Sequence, residues 1–150
     1  MTMTTQPTTP TTSIRSIVVT RTDLTRLQEL LQSQFAAAVG EGRPHLTELN
    51  DMLERAEPVD PQSMLPHIVT MNSTIKLLDV KQEEAETYTL VYPDEACIAE
   101  GKLSILSPLG SQLLGRHVGE EVAFNVSDRK IYKRVEKIWF QPERAGAFNL

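Results

Sequence analysis

Disulfide bonds are the first thing this chain cannot use. Cys97 is its one cysteine, so no intrachain bridge can form, a disulfide scaffold is excluded, and a reducing, cytoplasmic location is expected. Cys97 has no base or cation beside it and follows Asp94 and Glu95, so its thiol is not activated locally. His45, His67 and His117 stand far apart with no Cys or His at ligand spacing, and neither zinc nor another metal centre is expected. No Gly-rich phosphate loop occurs, so nucleoside triphosphate binding lacks support and no cofactor is expected. No apolar run is long enough to cross a membrane. Lysine and arginine are not clustered and the net charge is -5, which argues against DNA or RNA as main partner and against sequence-specific nucleic-acid binding. An acidic chain suits a basic protein surface instead. Aromatic residues make up 5%, so the core must be mostly aliphatic.

What is present falls into two units. Residues 1–13 are rich in threonine, with Pro7 and Pro10; they lack the basic end and apolar centre of a signal peptide and are expected to be a disordered tail. Leu24, Leu27, Leu31, Phe35 and Ala38 then follow helical spacing, with Leu30 widening the stripe. Thr22 is the expected N-cap, with Asp23 suiting a helix start. Gly40 and Gly42 end this helix, which at about 1.5 Å per residue should be about 25 Å long. Pro44 suits the first turn of a second helix, striped by Leu46, Leu49, Met52, Leu53 and Ala56. Together, residues 14–57 read as an antiparallel helical hairpin, a short coiled coil.

Residues 58–68 read as a linker, because Pro58, Pro61 and Pro66 each remove an N–H and disfavour helix before them. From residue 69 to 150 the pattern is β. Strands are expected at Thr74 to Val80, Glu86 to Tyr92 and Lys102 to Leu106. Ser107-Pro108 should open a brief helix that Gly115 closes. Two more strands, around Val122 to Val126 and Ile131 to Ile138, should flank a turn at residues 127–129. The fold class is α+β: a helical hairpin, then a small antiparallel sheet carrying one short helix.

Glu48, Asp51, Glu54 and Glu57 recur every three residues, an acidic ribbon along the second helix. It is either a solvated outer face or a surface for a basic wall. Ser107, Pro108, Leu109 and Gly110 read by themselves as a helix cap with an apolar residue turned inward. Trp139 and Phe140 read as core or rim packing.

The segment Ser104-Ile105-Leu106-Ser107-Pro108-Leu109-Gly110, followed by Leu113-Leu114 and Gly119-Glu120, resembles the C-terminal signature of the GreA/GreB transcription factor family. Gln112 departs from it, standing where that family has a small residue. Three further segments resemble the Rnk subgroup: Val69-Thr70-Met71-Asn72-Ser73, Thr89-Leu90-Val91-Tyr92-Pro93 and Gln141-Pro142-Glu143-Arg144-Ala145-Gly146. The resemblance implies a helical hairpin followed by an FKBP-like β domain. It also implies a non-enzymatic regulator that docks on core RNA polymerase at the rim of the secondary channel. There it would compete with GreA and GreB without stimulating transcript cleavage, with a family link to control of nucleoside diphosphate kinase. Ser107, Pro108, Leu109 and Gly110 would contact the polymerase. Glu41 and Arg43 would sit at the hairpin tip, where cleavage factors carry acidic residues. The alternative is an active cleavage factor with a shortened hairpin. A different class, an FKBP-like prolyl isomerase, would need an aromatic-lined pocket that so few aromatics poorly supply.

Overall fold

The computed structural model describes residues 16–33 and 43–148. The tail and the hairpin-tip residue Glu41 lie outside these, as do Phe35, Ala38, Gly40 and Gly42. Strand β1 (Val18–Thr20) runs directly into helix α1 (Arg21–Gln32). The cap is Thr20 rather than Thr22: Thr20 is extended, and its hydroxyl accepts from the Asp23 amide at 3.1 Å. Thr22 already lies inside the helix, because β1 ends in a residue whose extended backbone is what an N-cap requires. Nor does α1 run on towards Ala38 as one helix. Ser33 turns extended (φ -69°, ψ 155°), and its hydroxyl donates to the Leu30 carbonyl at 2.8 Å. Twelve residues span about 18 Å, not 25 Å.

Helix α2 (Pro44–Glu54) starts on its proline, as expected. Strand β2 (Glu57–Val59) follows and pairs with β1 in parallel, Val18 with Glu57 and Thr20 with Val59. Residues 57–59 are therefore not a free linker: the Glu57 amide donates to the Ile17 carbonyl at 2.9 Å. Pro58 is tolerated because a short edge strand needs no further donor there. This clip closes the helical unit at its base.

The β unit is a five-stranded sheet in the order β5-β4-β3-β7-β6. It comprises β3 (Thr74–Asp79), β4 (Ala85–Val91), β5 (Lys102–Ser104), β6 (Glu121–Val126) and β7 (Arg129–Phe140). It is not antiparallel throughout, since β5 pairs with β4 in parallel. A parallel partner needs a crossover, and the chain supplies one through two single-turn helices, Pro93–Glu95 and Ile98–Glu100, ending at Gly101 in the left-handed region (φ 77°). Helix α3 (Pro108–Leu113) packs against β6 and α2.

Helices and sheet share one core. Leu27 of α1, Leu49 and Leu53 of α2, Ile75 and Leu77 of β3, Leu113 of α3 and Val135 of β7 belong to one buried cluster. Among the described residues every buried apolar side chain is aliphatic or methionine. Trp139 and Phe140 are not core: they are 50% and 37% exposed, and the Lys137 ammonium sits 4.1 Å from the Trp139 ring centre, a cation–π contact at the rim.

Candidate functional site

The Ser107 loop is built from inside the fold. The Ser107 hydroxyl donates to the Ser104 carbonyl at 2.6 Å and accepts from the Gly110 amide at 3.0 Å. Leu109 is buried. A Cβ on Gly110 would lie 2.0 Å from the Ser104 carbonyl oxygen, so only glycine fits beneath this cap. Ser107 and Pro108 are both half-buried, Pro108 with its ring at the first helical position. Gln112, the departure from the family pattern, donates to Glu48 at 3.2 Å, and His45 lies 2.9 Å from the Leu106 carbonyl. The loop and α2 thus share a cleft of about 370 Å³ whose walls include Pro44, His45, Glu48, Pro108, Gln112 and Phe124.

Of the acidic ribbon, Glu48, Asp51 and Glu54 lie on α2, with Glu48 and Glu54 exposed and Asp51 half-buried. Glu57 leaves the ribbon because it opens β2. Arg43 is exposed at the N-cap position of α2 and makes no side-chain cap bond. Glu41 cannot be placed beside it, lying outside the described residues. Among the described residues no three His, Cys, Asp or Glu side chains group as metal ligands, and no helix is long and apolar enough to cross a membrane.

A second cluster was not expected from sequence. Asp23, the third residue of α1, is 1% exposed. Its carboxylate accepts from the Met71 amide and from the Tyr92 hydroxyl, both at 3.3 Å. Beside it the Thr70 hydroxyl donates to Glu143 at 2.7 Å, and Thr70 and Ser73 hydroxyls lie 2.9 Å apart. Gln141 donates to the Leu65 and Ile68 carbonyls at 2.8 and 2.7 Å, while its own Oε1 has no partner among the described residues. Burial, then the charge of Glu143, push the Asp23 carboxyl up to about 7, against the bonds from Met71, Tyr92 and Thr20. Tyr92 is pushed well above its ordinary range, by burial first and then by Asp23; it stays a donor.

At the other end of β3, Lys133 is 7% exposed and pairs with Glu86 and, at 3.5 Å, with Asp79. Tyr88 donates to Glu86 at 3.2 Å. Burial alone would pull this ammonium down; the hydrogen bond and charge of Glu86, then Asp79, outweigh it and hold it above its ordinary value.

Comparison with known proteins places the chain. The family model described as "Transcription elongation factor, GreA/GreB, C-term" matches residues 65–140, and "Rnk N-terminus" matches residues 15–59. The regulator of nucleoside diphosphate kinase of Escherichia coli (strain K12) is 32% identical over 136 residues, 90% of this chain and 97% of that protein. The chain belongs to the Rnk group of the GreA/GreB family. Its relatives include transcription elongation factor GreA of Nitratiruptor sp., 40% identical over 98 residues, 65% of this chain but only 60% of that GreA. A solved GreA/GreB elongation factor from Nitrosomonas europaea superposes with a TM-score of 0.70 at 32% identity, covering 84% of this chain and 99% of that one. An Rnk-group chain is a transcription-factor-like regulator and not itself an enzyme.

Within that family frame the two clusters differ in origin. The GreA/GreB signature builds the Ser107 cap and the adjoining cleft. The three Rnk-like segments meet around Asp23. Sequence reading singled out these segments but missed their meeting point. The one local hint was a carboxylate three residues after a threonine cap.

Proposed function

We propose that this Rnk-group protein docks on core RNA polymerase at the rim of the secondary channel, displaces GreA and GreB from that site, and stimulates no transcript cleavage. The observation that carries the reading is that the β unit matches the GreA/GreB C-terminal model while the chain spans only 60% of the length of the GreA it matches. The sheet with α3 is read as the FKBP-like domain over residues 69–150. Helices α1 and α2 are read as a shortened hairpin over residues 14–57, joined through residues 58–68. The protein works in the cytoplasm. The contact surface is Pro108 with the cleft beside it, held in shape by Ser107, Leu109 and Gly110, while Glu48, Asp51 and Glu54 on α2 present negative charge to a basic partner. In sequence, Glu41 is a single carboxylate two residues before Arg43; holding a metal at the scissile phosphate takes more than one fixed carboxylate. Control of nucleoside diphosphate kinase, named in the relative, would then be exerted through transcription.

The test is calorimetry or native gel shift with purified core polymerase. Micromolar or tighter binding, weakened by Pro108→Asp in a variant whose circular dichroism is unchanged, is expected. No binding at micromolar concentrations refutes the docking.

A further inference from the structure

The buried carboxylate on α1 does something its position in the helix does not require. A carboxylate at the third helical position ordinarily folds back on the first-turn amides, where the helix dipole keeps it ionised. Here the Thr20 hydroxyl accepts the Asp23 amide, and the carboxylate turns instead to Met71, which precedes β3, and to Tyr92, which follows β4. It is thereby a polar tie from the helical unit into the β unit. We propose that Asp23 is a positioning residue that pins the N-terminal helical unit against the β unit, and that this buried seat is most stable when the acid is neutral.

Geometry carries the argument. The bonds from Met71 and Tyr92 are long, at 3.3 Å, the Thr20 hydroxyl adds a third, and among the described residues no lysine, arginine or histidine forms an ion pair with the carboxylate. The titratable and charged groups around it come from three elements. Arg26, one turn along α1, acts on Tyr92. Tyr92 donates from the end of β4. Glu143 faces it from the C-terminal segment, fixed by Thr70. A buried carboxylate facing a second carboxylate is costly; the neutral acid removes the repulsion, still accepts the Met71 amide on its carbonyl oxygen, and can donate from its other oxygen to the Tyr92 hydroxyl.

The sign of the pH dependence follows. The folded value, about 7, stands above the ordinary 3.8. The stabilisation is therefore complete below pH about 4, declines as pH rises, and is gone once pH has passed about 7. Above that, the β1–β2 clip and the shared core still hold the units together, so the change is in how firmly the helices are seated, not in whether they are attached. This inference does not rest on polymerase binding.

The experiment uses the full chain without any ligand. Carboxyl ¹³C NMR reads the Asp23 titration directly, and native-state hydrogen exchange at the Met71 amide reads the seam. Asp23 should titrate near neutrality. Met71 protection, corrected for intrinsic exchange, should fall by up to tenfold per pH unit between pH 5 and 7 and then level off. Asp23→Asn, which keeps the acceptor and removes the charge, should abolish that fall. A structural contact alone would lower protection equally at every pH. Titration of Asp23 at the ordinary aspartate value in the wild-type protein overturns the proposal. So do parallel pH profiles for wild type and a folded Asp23→Asn variant.

Discussion

The two ends of β3 handle buried charge in opposite ways. Beyond its C-terminal end, Lys133 is a buried cation with two carboxylates, and one of those carboxylates is further bonded by Tyr88. Before its N-terminal end, Asp23 is a buried carboxylate with no ion pair among the described residues, hydrogen bonds from Met71, Tyr92 and Thr20, and Glu143 nearby. In the first cluster the buried cation is paired twice over, and it keeps its form through the neutral range. Asp79 there lies below its ordinary value, chiefly through the Gln82 amide, so its contribution is present above pH about 4 and lost as pH falls below that. The second cluster runs the other way, strongest in acid and weakest above neutrality. An ion-paired cation accompanies the fixed end of the sheet, and a carboxylate facing another carboxylate accompanies the seam with the helices.

Three substitutions sharpen this contrast. Lys133→Met should have the largest effect: it leaves Asp79 and Glu86 facing each other without their cation. We expect a loss of about 2 kcal/mol in urea unfolding, at the low side for a broken buried pair because Glu86 is part-solvated, and a similar loss at pH 6 and pH 8. Tyr92→Phe should cost about 1 kcal/mol. Its hydroxyl favours the Asp23 carboxylate, so its removal should also move the Asp23 titration further upward, visible by NMR. If the titration moves downward, the roles assigned at the seam are wrong. Arg21→Ala should do least. Arg21 pairs with Asp60 at 3.1 Å, but the side chains are 63% and 65% exposed, and exposed pairs contribute about 0.5 kcal/mol or less. A larger loss would mean that this surface tie, rather than Asp23, seats α1.

What could be read from sequence was what is local. The stripe of Leu46, Leu49, Met52 and Leu53 marked α2, and its proline marked its start. Ser107-Pro108 marked α3, with the hydroxyl cap where a Ser-Pro start implies one. All five sheet strands came from alternation and turn residues to within two residues. The features missed depend on distant partners. Strands of three residues such as β1 and β2 carry no periodicity, and their pairing joins Val18 to Glu57. The parallel course of β5 follows from the crossover after Tyr92, not from its own residues. Asp23 looked like a helix-start charge because its partners lie 48 and 69 residues away. Resemblance marked the segments that hold it without showing that they meet. In the Ser107 loop, the hydroxyl cap and the inward leucine were legible in sequence, while the close approach beneath Gly110 was not, because it depends on the Ser104 carbonyl.

The reading of this chain as a docked, non-cleaving regulator is tested most directly on a stalled elongation complex carrying labelled RNA. The complex is treated with this protein alone, with GreA alone, and with both. The account predicts no shortened RNA in the first case, cleavage in the second, and reduced cleavage in the third as the shared site is occupied. Prompt cleavage by this protein alone, abolished by Glu41→Ala, would contradict it and make the chain an active cleavage factor with a short hairpin.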